Sequence, residues 1–577
     1  MDLLSLPPEL LVECLSHLRY RDLEACLQTY HHALCDIILA SPLLLYRAEL
    51  DRAGVEENPR LLTHLSIEER RAALREREEN WMFLKRTSVH AAAFDFHATR
   101  SIYWVSGDYW IIGDAPDPAL TRSNAVKMLR TAPGADGAMG SWRTASAEGR
   151  RRVIDFVAAP EELDLVGLIT YSASTEQPGM DSLDVHLLSF STLQPHPRAA
   201  IPVVHIHMLS PHDGVPSVTV DVTGRVLAFA LFYRQAEQSV FDGLYVYDWH
   251  TGLRVCEPKY IAAWSPVGLS FLTPTLTLTP PTDNAVSLSP PEHIASLLLP
   301  RLRADIRATS FQFRALPNPP ASASANTSER LARSHSRFLP LASRALLQCA
   351  FETENGGGEA PPTLHLFVLR RAALLPLLAR ILSTRSFPRE VPWRVWGPQT
   401  TRFVDVEADG GMGMHPCTTL AGERLVSVCG GGADFPGLVG TAPRLRVRNF
   451  GEGAVRTARR RITQLGTGSG YLETETAYVR VVEAEEPLSP AEEDTITLAH
   501  ELPSSPVSPA SAPASSRRPS FLAFENAAEV YSTLPYVESI SRASCTYDAV
   551  EIGFESVVGV EFGASLAVRS AEVVRFG

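Results

Sequence analysis

The sequence contains almost no lysine. Lys85, Lys127 and Lys259 are the only three among 53 basic residues in a chain of 577, so arginine supplies nearly all of the positive charge. Acidic residues exceed basic ones, and the net charge is −12. A protein that binds nucleic acid needs a basic surface to neutralise phosphates. The composition therefore argues against a nucleic-acid partner.

Long apolar runs and closely spaced cysteine pairs are also missing. A membrane-spanning helix needs about 20 apolar residues, whereas the best stretch here, residues 37–46, is interrupted by Ser41 and Pro42. Met1 and Asp2 lack the basic start of a secretory signal peptide. The eight cysteines are scattered, which is not typical of a metal site. We therefore expect reduced cysteines, no membrane partner, and a soluble protein of the cytoplasm or nucleus.

No motif in the sequence indicates catalysis. Residues 466–471 (GTGSGY) lack the Lys-Ser/Thr pair of a P-loop, and His205 and His207 alternate on a predicted strand without a third metal ligand nearby. Residues 456–461 (RTARRR) either bind an anion, act as a nuclear localisation signal, or form an exposed strand edge or loop, which is the favoured interpretation. We therefore predict no catalytic residue, no metal ion and no cofactor.

What the sequence does have is a leucine-rich start. Pro7 is typical of the beginning of a helix. Three further helices are expected, one capped by Asp22, one through Leu34, and one from Ser41 to Gly54. In the first helix, apolar residues recur at helical spacing at Leu10, Leu11, Cys14, Leu15 and Leu18.

The residues that follow predict linker helices over 51–86. Ser66 and Glu69 form a capping box for a charged helix from Ile67 to about Lys85. The short helices before it contain more leucine than they can bury among themselves. The surplus apolar face either packs on the rest of the chain or meets a partner.

The order of residues in this leader resembles the F-box, and most of all the N-terminal F-box of large basidiomycete fungal families. The matching pattern is Leu6-Pro7-x-Glu9-Leu10-Leu11, then Leu15-Ser16-x-Leu18, then Asp22-Leu23. One departure concerns residues 28–32 (QTYHH), where many F-boxes carry Val-x-Lys/Arg-x-Trp.

The resemblance implies a small all-α module, residues 1–50, that docks on a Skp-type adaptor and through it on a cullin. Carried over position by position, the adaptor contacts would be made by Leu6, Pro7, Leu10, Leu11, Leu15, Leu18 and Leu23.

From residue 87 onward the period changes to that of short strands. In residues 217–255, Val218, Val220 and Val222 alternate with polar residues, and three more apolar segments follow behind tight turns. Four antiparallel strands in so short a segment predict one blade of a β-propeller. The letters YDWHTG resemble the end of a WD-type blade, with Tyr247 in the place of tryptophan.

Similar but degenerate segments recur along the chain, at 89–112, 153–190, 339–369, 422–450 and in the tail. We therefore predict a mainly β domain over 87–577, a propeller of six to eight blades with seven as the best estimate. The final strands are placed to complete the first or last blade. The whole pattern resembles fungal F-box proteins with a C-terminal degenerate, WD-like propeller.

Two insertions are expected to be disordered loops. Residues 317–336 are rich in Ala, Ser and Pro, and residues 483–520 combine an acidic start with many prolines and serines and contain too few apolar residues to offset the entropy of ordering. The second contains possible phosphorylation sites at Ser489, Ser505, Ser508 and Ser520.

The functional expectation is a substrate-recognition subunit of an SCF-type ubiquitin ligase. It would be a non-catalytic receptor that brings an unknown substrate protein to partner enzymes. The alternative is an interaction scaffold with a degenerate F-box and no ubiquitin transfer, and the altered residues 28–32 keep this alternative open.

Overall fold

The computed structural model describes residues 6–29, 31–116, 123–133, 139–147, 151–174, 177–210, 215–232, 242–255, 259–261, 270–273, 276–278, 295–318, 325–355, 362–384, 390–404, 419–430, 442–465, 470–485, 524, 530–563 and 567–577. Six helices form the N-terminal part: α1 (Pro8–Ser16), α2 (Tyr20–Gln28), α3 (His32–Ala40), α4 (Pro42–Ala53), α5 (Pro59–Leu62) and α6 (Ile67–Met82). Five more lie between strands: α7 (Pro160–Leu163), α8 (Ala325–Arg333), α9 (Arg371–Ser383), α10 (Trp393–Thr400) and α11 (Glu452–Leu465).

The first strands in chain order are β1 (Val55–Glu57), β2 (Ser88–Ala92), β3 (His97–Ser106), β4 (Tyr109–Ala115), β5 (Ala125–Arg130), β6 (Arg143–Ser146), β7 (Arg152–Ala159), β8 (Leu165–Ala173), β9 (Asp181–Ser189), β10 (Val203–Leu209), β11 (Ser217–Thr223), β12 (Val226–Phe232), β13 (Asp242–Asp248), β14 (Leu253–Arg254), β15 (Lys259–Ile261), β16 (Ser270–Thr273) and β17 (Leu276–Leu278). The remaining strands are β18 (Ser296–Leu297), β19 (Ile306–Ala315), β20 (Phe338–Pro340), β21 (Leu346–Asn355), β22 (Thr363–Arg370), β23 (Glu390–Val391), β24 (Thr401–Val404), β25 (Leu420–Ala421), β26 (Arg424–Cys429), β27 (Arg444–Asn449), β28 (Tyr471–Glu473), β29 (Ala477–Val482), β30 (Tyr536–Ser544), β31 (Ala549–Ile552), β32 (Ser556–Phe562) and β33 (Val568–Arg575).

The N-terminal helices begin and end at the capping residues that the sequence predicted, with one exception. The Ser41 side chain accepts a hydrogen bond from Leu44 N, Gly54 ends α4 with a positive φ of 67°, and both bonds of the predicted capping box of α6 are present. The prediction that Asp22 caps the second helix is wrong, because α2 begins at Tyr20 and encloses Asp22. The Tyr20 N–H donates instead to the carboxylate of Asp51 at 2.8 Å, so the partner of this helix start comes from α4.

Within the described residues, six sheets have four or more strands and form the blades of a propeller. They are blade one (β3–β6), blade two (β7–β10), blade three (β11–β14, with β15), blade four (β19, β21, β22 and β24), blade five (β25–β27 with β28–β30) and blade six (β31–β33 with β2). The estimate of seven blades is therefore corrected to six. Between blades three and four, the described part of the chain forms the two-stranded sheet β16–β17 and strand β18, which pairs with β23. Strand β16 contacts β11 and β19.

Blade three is the blade whose sequence is the most regular, and the prediction for it is confirmed. β11 pairs with β12 from Ser217–Phe232 to Thr223–Val226, and β12 pairs in turn with β13. Tyr247 is 4% exposed and packs between blades. The core lies between neighbouring sheets, as where Leu187 of blade two packs in one cluster with Phe229 of blade three.

The ring closes through its first and last strands, as predicted. The first strands of successive blades contact each other, except that β11 and β19 are bridged by β16, and β31 of blade six contacts β3 of blade one. β2, which precedes blade one in the chain, pairs antiparallel with β33, from Ser88–Arg575 to Ala92–Ala571. Blade six is thus built from both ends of the propeller segment.

The linker is attached to the propeller at residues where the sequence predicted disorder. Helix α8 lies inside the 317–336 insertion, and β1 pairs with β20, which follows the insertion directly. Arg330 of this helix is 6% exposed and bonds Glu56 at 2.6 Å. The disorder prediction for 317–336 is therefore wrong over 325–336, because polar side chains here are ordered by ion pairs and hydrogen bonds rather than by apolar burial.

The first three residues of the second insertion, 483–485, are ordered. Glu485 bonds Arg402 at 2.8 Å, and its N–H donates to Ser532 O. Residues 486–520 lie outside the described residues, and so do the possible phosphorylation sites Ser489, Ser505, Ser508 and Ser520.

Asn58 provides a test of the linker attachment. Its side chain is fully buried, and Nδ2 donates to the carbonyl oxygens of Leu331, Ser334 and Ser336 at 2.9, 3.2 and 3.4 Å. We expect Asn58→Ala to lower the free energy of unfolding by about 2 kcal/mol, because buried carbonyls lose their donor. Asn58→Asp should be at least as destabilising, since it turns a carboxylate oxygen toward those carbonyls. Urea denaturation measures both, and an Asp variant as stable as wild type would contradict the assignment.

Candidate functional site

The seven residues predicted to contact an adaptor are divided between the inside and the surface of the helical module. Leu11, Leu15 and Leu23 are at most 5% exposed. Leu15 and Leu23 pack with Ile38 and Leu44 in a small core formed by α1–α4. These buried leucines hold the four helices together.

The other four predicted residues lie at the surface. Leu10 is 52% and Leu18 38% exposed, Pro7 is exposed, and Leu6 is half-buried. Pro7, Leu10, exposed Cys14 and Leu18 follow each other at steps of three and four, which places them on one side of α1 and its C-terminal turn. We call these four residues the α1 stripe. Helix α1 is therefore apolar on two sides, one facing the module core and one facing solvent.

The segment that departs from the F-box pattern forms the turn between α2 and α3. Helix α2 ends at Gln28, Thr29 is its C-cap, and α3 begins at His32. Gln28, Thr29, His31 and His32 are exposed, whereas residue 30 lies outside the described residues. The departure thus alters the surface of the module, while Ile38 in the next helix still reaches its core.

The module is fixed on the propeller around Tyr20. This residue is 2% exposed, and the guanidinium groups of Arg52 and Arg456 lie over its ring at 5.3 and 5.4 Å from the centroid. Asp51, which accepts the Tyr20 N–H, also bonds Arg344 of the propeller at 2.8 Å. One aromatic ring therefore joins α2, α4 and α11 through cation–π contacts.

Helix α11 supplies the propeller side of this junction, and the sequence interpretation of residues 456–461 was wrong. The segment is a helix, with Val455 and Ala458 buried. Three of its arginines form ion pairs, Arg456 with Glu24, Arg459 with Glu483, and Arg461 with Glu79. The apolar residues at 455, 458 and 462 have helical spacing, and this signal would have predicted the helix.

The first turn of α11 approaches α4 very closely at Gly453. A Cβ at this position would lie 2.1 Å from Arg52 Cγ and 2.4 Å from Arg52 O. Next to it, Glu452 is ion-paired with Arg21 of the module and with Arg370 of blade four. Burial opposes its ionisation, but the hydrogen bond from Arg21 and the charge of Arg370 keep the pKa of Glu452 below its usual value.

A cavity of about 270 Å³ lies at the end of the central channel where β3, β7, β11 and β19 finish. Glu56 of the linker and Arg330 of α8 are among its lining residues, so the linker covers this end. The Arg314 guanidinium lies 4.4 Å from the Trp104 ring centroid. Burial raises the pKa of nearby Asp155 to about 6, although Arg314 lowers it. The described lining contains no histidine or cysteine that would serve as a base or a thiol nucleophile.

The histidines of β10 do not form a catalytic or metal site with their neighbours. His205 Nδ1 lies 3.1 Å from Asp184 Oδ1 and 3.1 Å from Ser182 Oγ, so both groups share one ring nitrogen. A Ser-His-Asp triad needs the serine and the aspartate on opposite nitrogens. His207 lies against the Tyr245 ring. Across the described residues, no group of three or more His, Cys, Asp and Glu side chains is arranged to hold a metal ion.

Comparisons with known proteins add little. No protein-family model and no curated protein matches the chain. Among solved structures it is similar to the WD40 domain of SCAP from fission yeast, with 7% identity, a TM-score of 0.28, and coverage of 85% of this chain and 94% of that chain. At these values the likeness carries no argument, so the propeller assignment rests on the strand pairing described above. None of the described helices is long and apolar enough to cross a membrane.

Gly453 provides the test of the junction. Gly453→Val forces α11 away from Arg52, and we expect amide hydrogen exchange in α4 and α11 to rise at least about tenfold, because local opening becomes easier. Gly430→Val is the matched control, since a Cβ there meets nothing within 4 Å. Unchanged exchange in Gly453→Val would show that the two helices are not held together at this glycine.

Proposed function

We propose that the chain is the substrate-recognition subunit of an SCF-type (Skp–cullin–F-box) E3 ubiquitin ligase in the cytoplasm or nucleus. The observation that carries the proposal is the α1 stripe. A four-helix module with its own core keeps Leu10 and Leu18 exposed, beside a propeller to which it is firmly attached. Apolar side chains that are left outside a closed core are typical of a protein-binding surface.

In this proposal the module docks on a Skp-type adaptor, and the adaptor connects it to a cullin. The propeller binds the substrate protein, because its blades present many loops on a rigid ring. Ubiquitin transfer takes place on partner enzymes, so this chain is non-catalytic and supplies proximity and orientation. The junction at Tyr20 and Gly453 gives this arrangement a fixed geometry between the adaptor and the substrate.

A second candidate is an interaction scaffold that binds other proteins without ubiquitin transfer. The observation in its favour is the exposed turn at residues 28–32, which differs from the F-box pattern. If that turn belongs to the adaptor contact, its altered residues weaken docking while the propeller still binds its partner.

The α1 stripe is tested by the double substitution Leu10→Asp and Leu18→Asp. Two carboxylates in an apolar contact must be desolvated on binding, so we expect co-purification of the adaptor and the cullin to be lost. Leu253→Asp is the matched control, because Leu253 is 65% exposed and lies on blade three. Leu15 is unsuitable for this test, since it is buried and its replacement would unfold the module.

The two candidates give different results in wild-type protein. Recovery of adaptor and cullin, lost only in the stripe variant, supports the ligase subunit. Recovery of another partner without adaptor or cullin would replace the ligase proposal by the scaffold.

A further inference from the structure

A groove separates α6 of the linker from α11 of the propeller. Its volume is about 650 Å³, within the range of protein ligand sites. The walls are side chains one helical turn apart, Arg75, Glu79 and Met82 on α6 and Arg456, Arg460 and Gln464 on α11. Val447 and Val537 of blade five lie beneath, and Glu49 and Arg52 of α4 close one end.

Most charges along this groove neutralise each other. Glu24 pairs with Arg456, Glu49 with Arg75, Glu78 with Arg424, and Glu79 with Arg461. Arg52 lies over Tyr20. Arg460 is exposed and has no ion pair or hydrogen bond to any described residue. The groove therefore carries a net positive charge, with one guanidinium that offers all its donors to a ligand.

The dimensions limit the kind of ligand. The α11 wall runs from Gly453 to Gln464, which is roughly 16 Å at about 1.5 Å per residue. About five residues of extended peptide span that distance at about 3.3 Å each. Four glutamates in the walls disfavour a polyanion such as nucleic acid, whereas a single carboxylate fits a guanidinium in bidentate geometry.

We propose that this groove binds a short, extended, acidic peptide segment of a partner protein, with one carboxylate on Arg460. Apolar side chains on the other face of the peptide lie over half-buried Met82. Gln464, one turn further along α11, is placed to bond the peptide backbone. The inference does not depend on adaptor docking, because the α1 stripe contributes no residue to the groove.

The test measures binding of two fluorescein-labelled heptapeptides to the full-length protein by fluorescence anisotropy. One consists of leucine and serine around a single central glutamate, and the other has lysine in place of that glutamate. We expect saturable binding of the acidic peptide only, weakened at least about tenfold by Arg460→Glu, because a charge-assisted contact becomes a repulsion.

Arg459→Glu is the matched control. It makes the same change of charge one residue away on the same helix, at a position that does not line the groove. Equal weakening by Arg459→Glu and Arg460→Glu, or no saturable binding of the acidic peptide, would overturn the proposal. Adaptor co-purification should remain normal in Arg460→Glu, which separates this result from the fate of the ligase proposal.

Discussion

Closure of the propeller ring is the constraint on which the rest of the structure depends. A propeller is stable only when its last blade meets its first, and here β2 completes blade six by pairing with β33. Because α6 ends only six residues before β2 begins, closure brings this helix to the C-terminal end of the chain. Trp81 of α6 packs on Phe576 with ring centroids 4.6 Å apart, and Arg77 donates to Phe554 O at 3.2 Å. The position of the helical module therefore follows from the way the ring is closed.

Arginine side chains make many of the contacts that hold the helices on the propeller. The scarcity of lysine therefore has a structural consequence. Arg371 is 1% exposed, and its Nη1 donates to Pro317 O at 2.9 Å and to Ala342 O at 2.7 Å. Burial lowers the pKa of Arg371 to about 10, yet at neutral pH the group stays charged. A buried lysine loses its proton far more readily, because its pKa in water is lower and burial lowers it further. At this buried position arginine therefore keeps the charge that strengthens its two hydrogen bonds to carbonyl oxygens.

The strands could be predicted because packing between blades requires apolar residues at every second position of a strand. The sequence shows this alternation directly at Val218, Val220 and Val222. Helix α11 was missed although its apolar residues at 455, 458 and 462 recur at helical spacing, because its arginines were interpreted as an exposed strand edge or loop. The 325–336 segment was missed because its order comes from contacts with residues hundreds of positions away, such as the ion pair of Arg330 with Glu56. A prediction of disorder from composition depends on how few apolar residues a segment has. A segment that is ordered by ion pairs with distant carboxylates is therefore predicted to be a loop. The leucine pattern of α1 was visible in the same way, but which leucines face inward depends on the positions of α3 and α4.

The free energy available to the α1 stripe sets a condition on any adaptor contact. Burying a leucine side chain contributes about 1.5–3 kcal/mol, so Leu10 and Leu18, already partly covered, supply only a few kcal/mol. Association of two proteins costs an estimated 4–15 kcal/mol. The stripe alone is therefore too small for stable docking, and a partner must also cover α2 or α3. Leu39 of α3 is 60% exposed and meets that requirement. The turn at 28–32 joins these two helices, so its departure from the F-box pattern lies where the additional contact has to form.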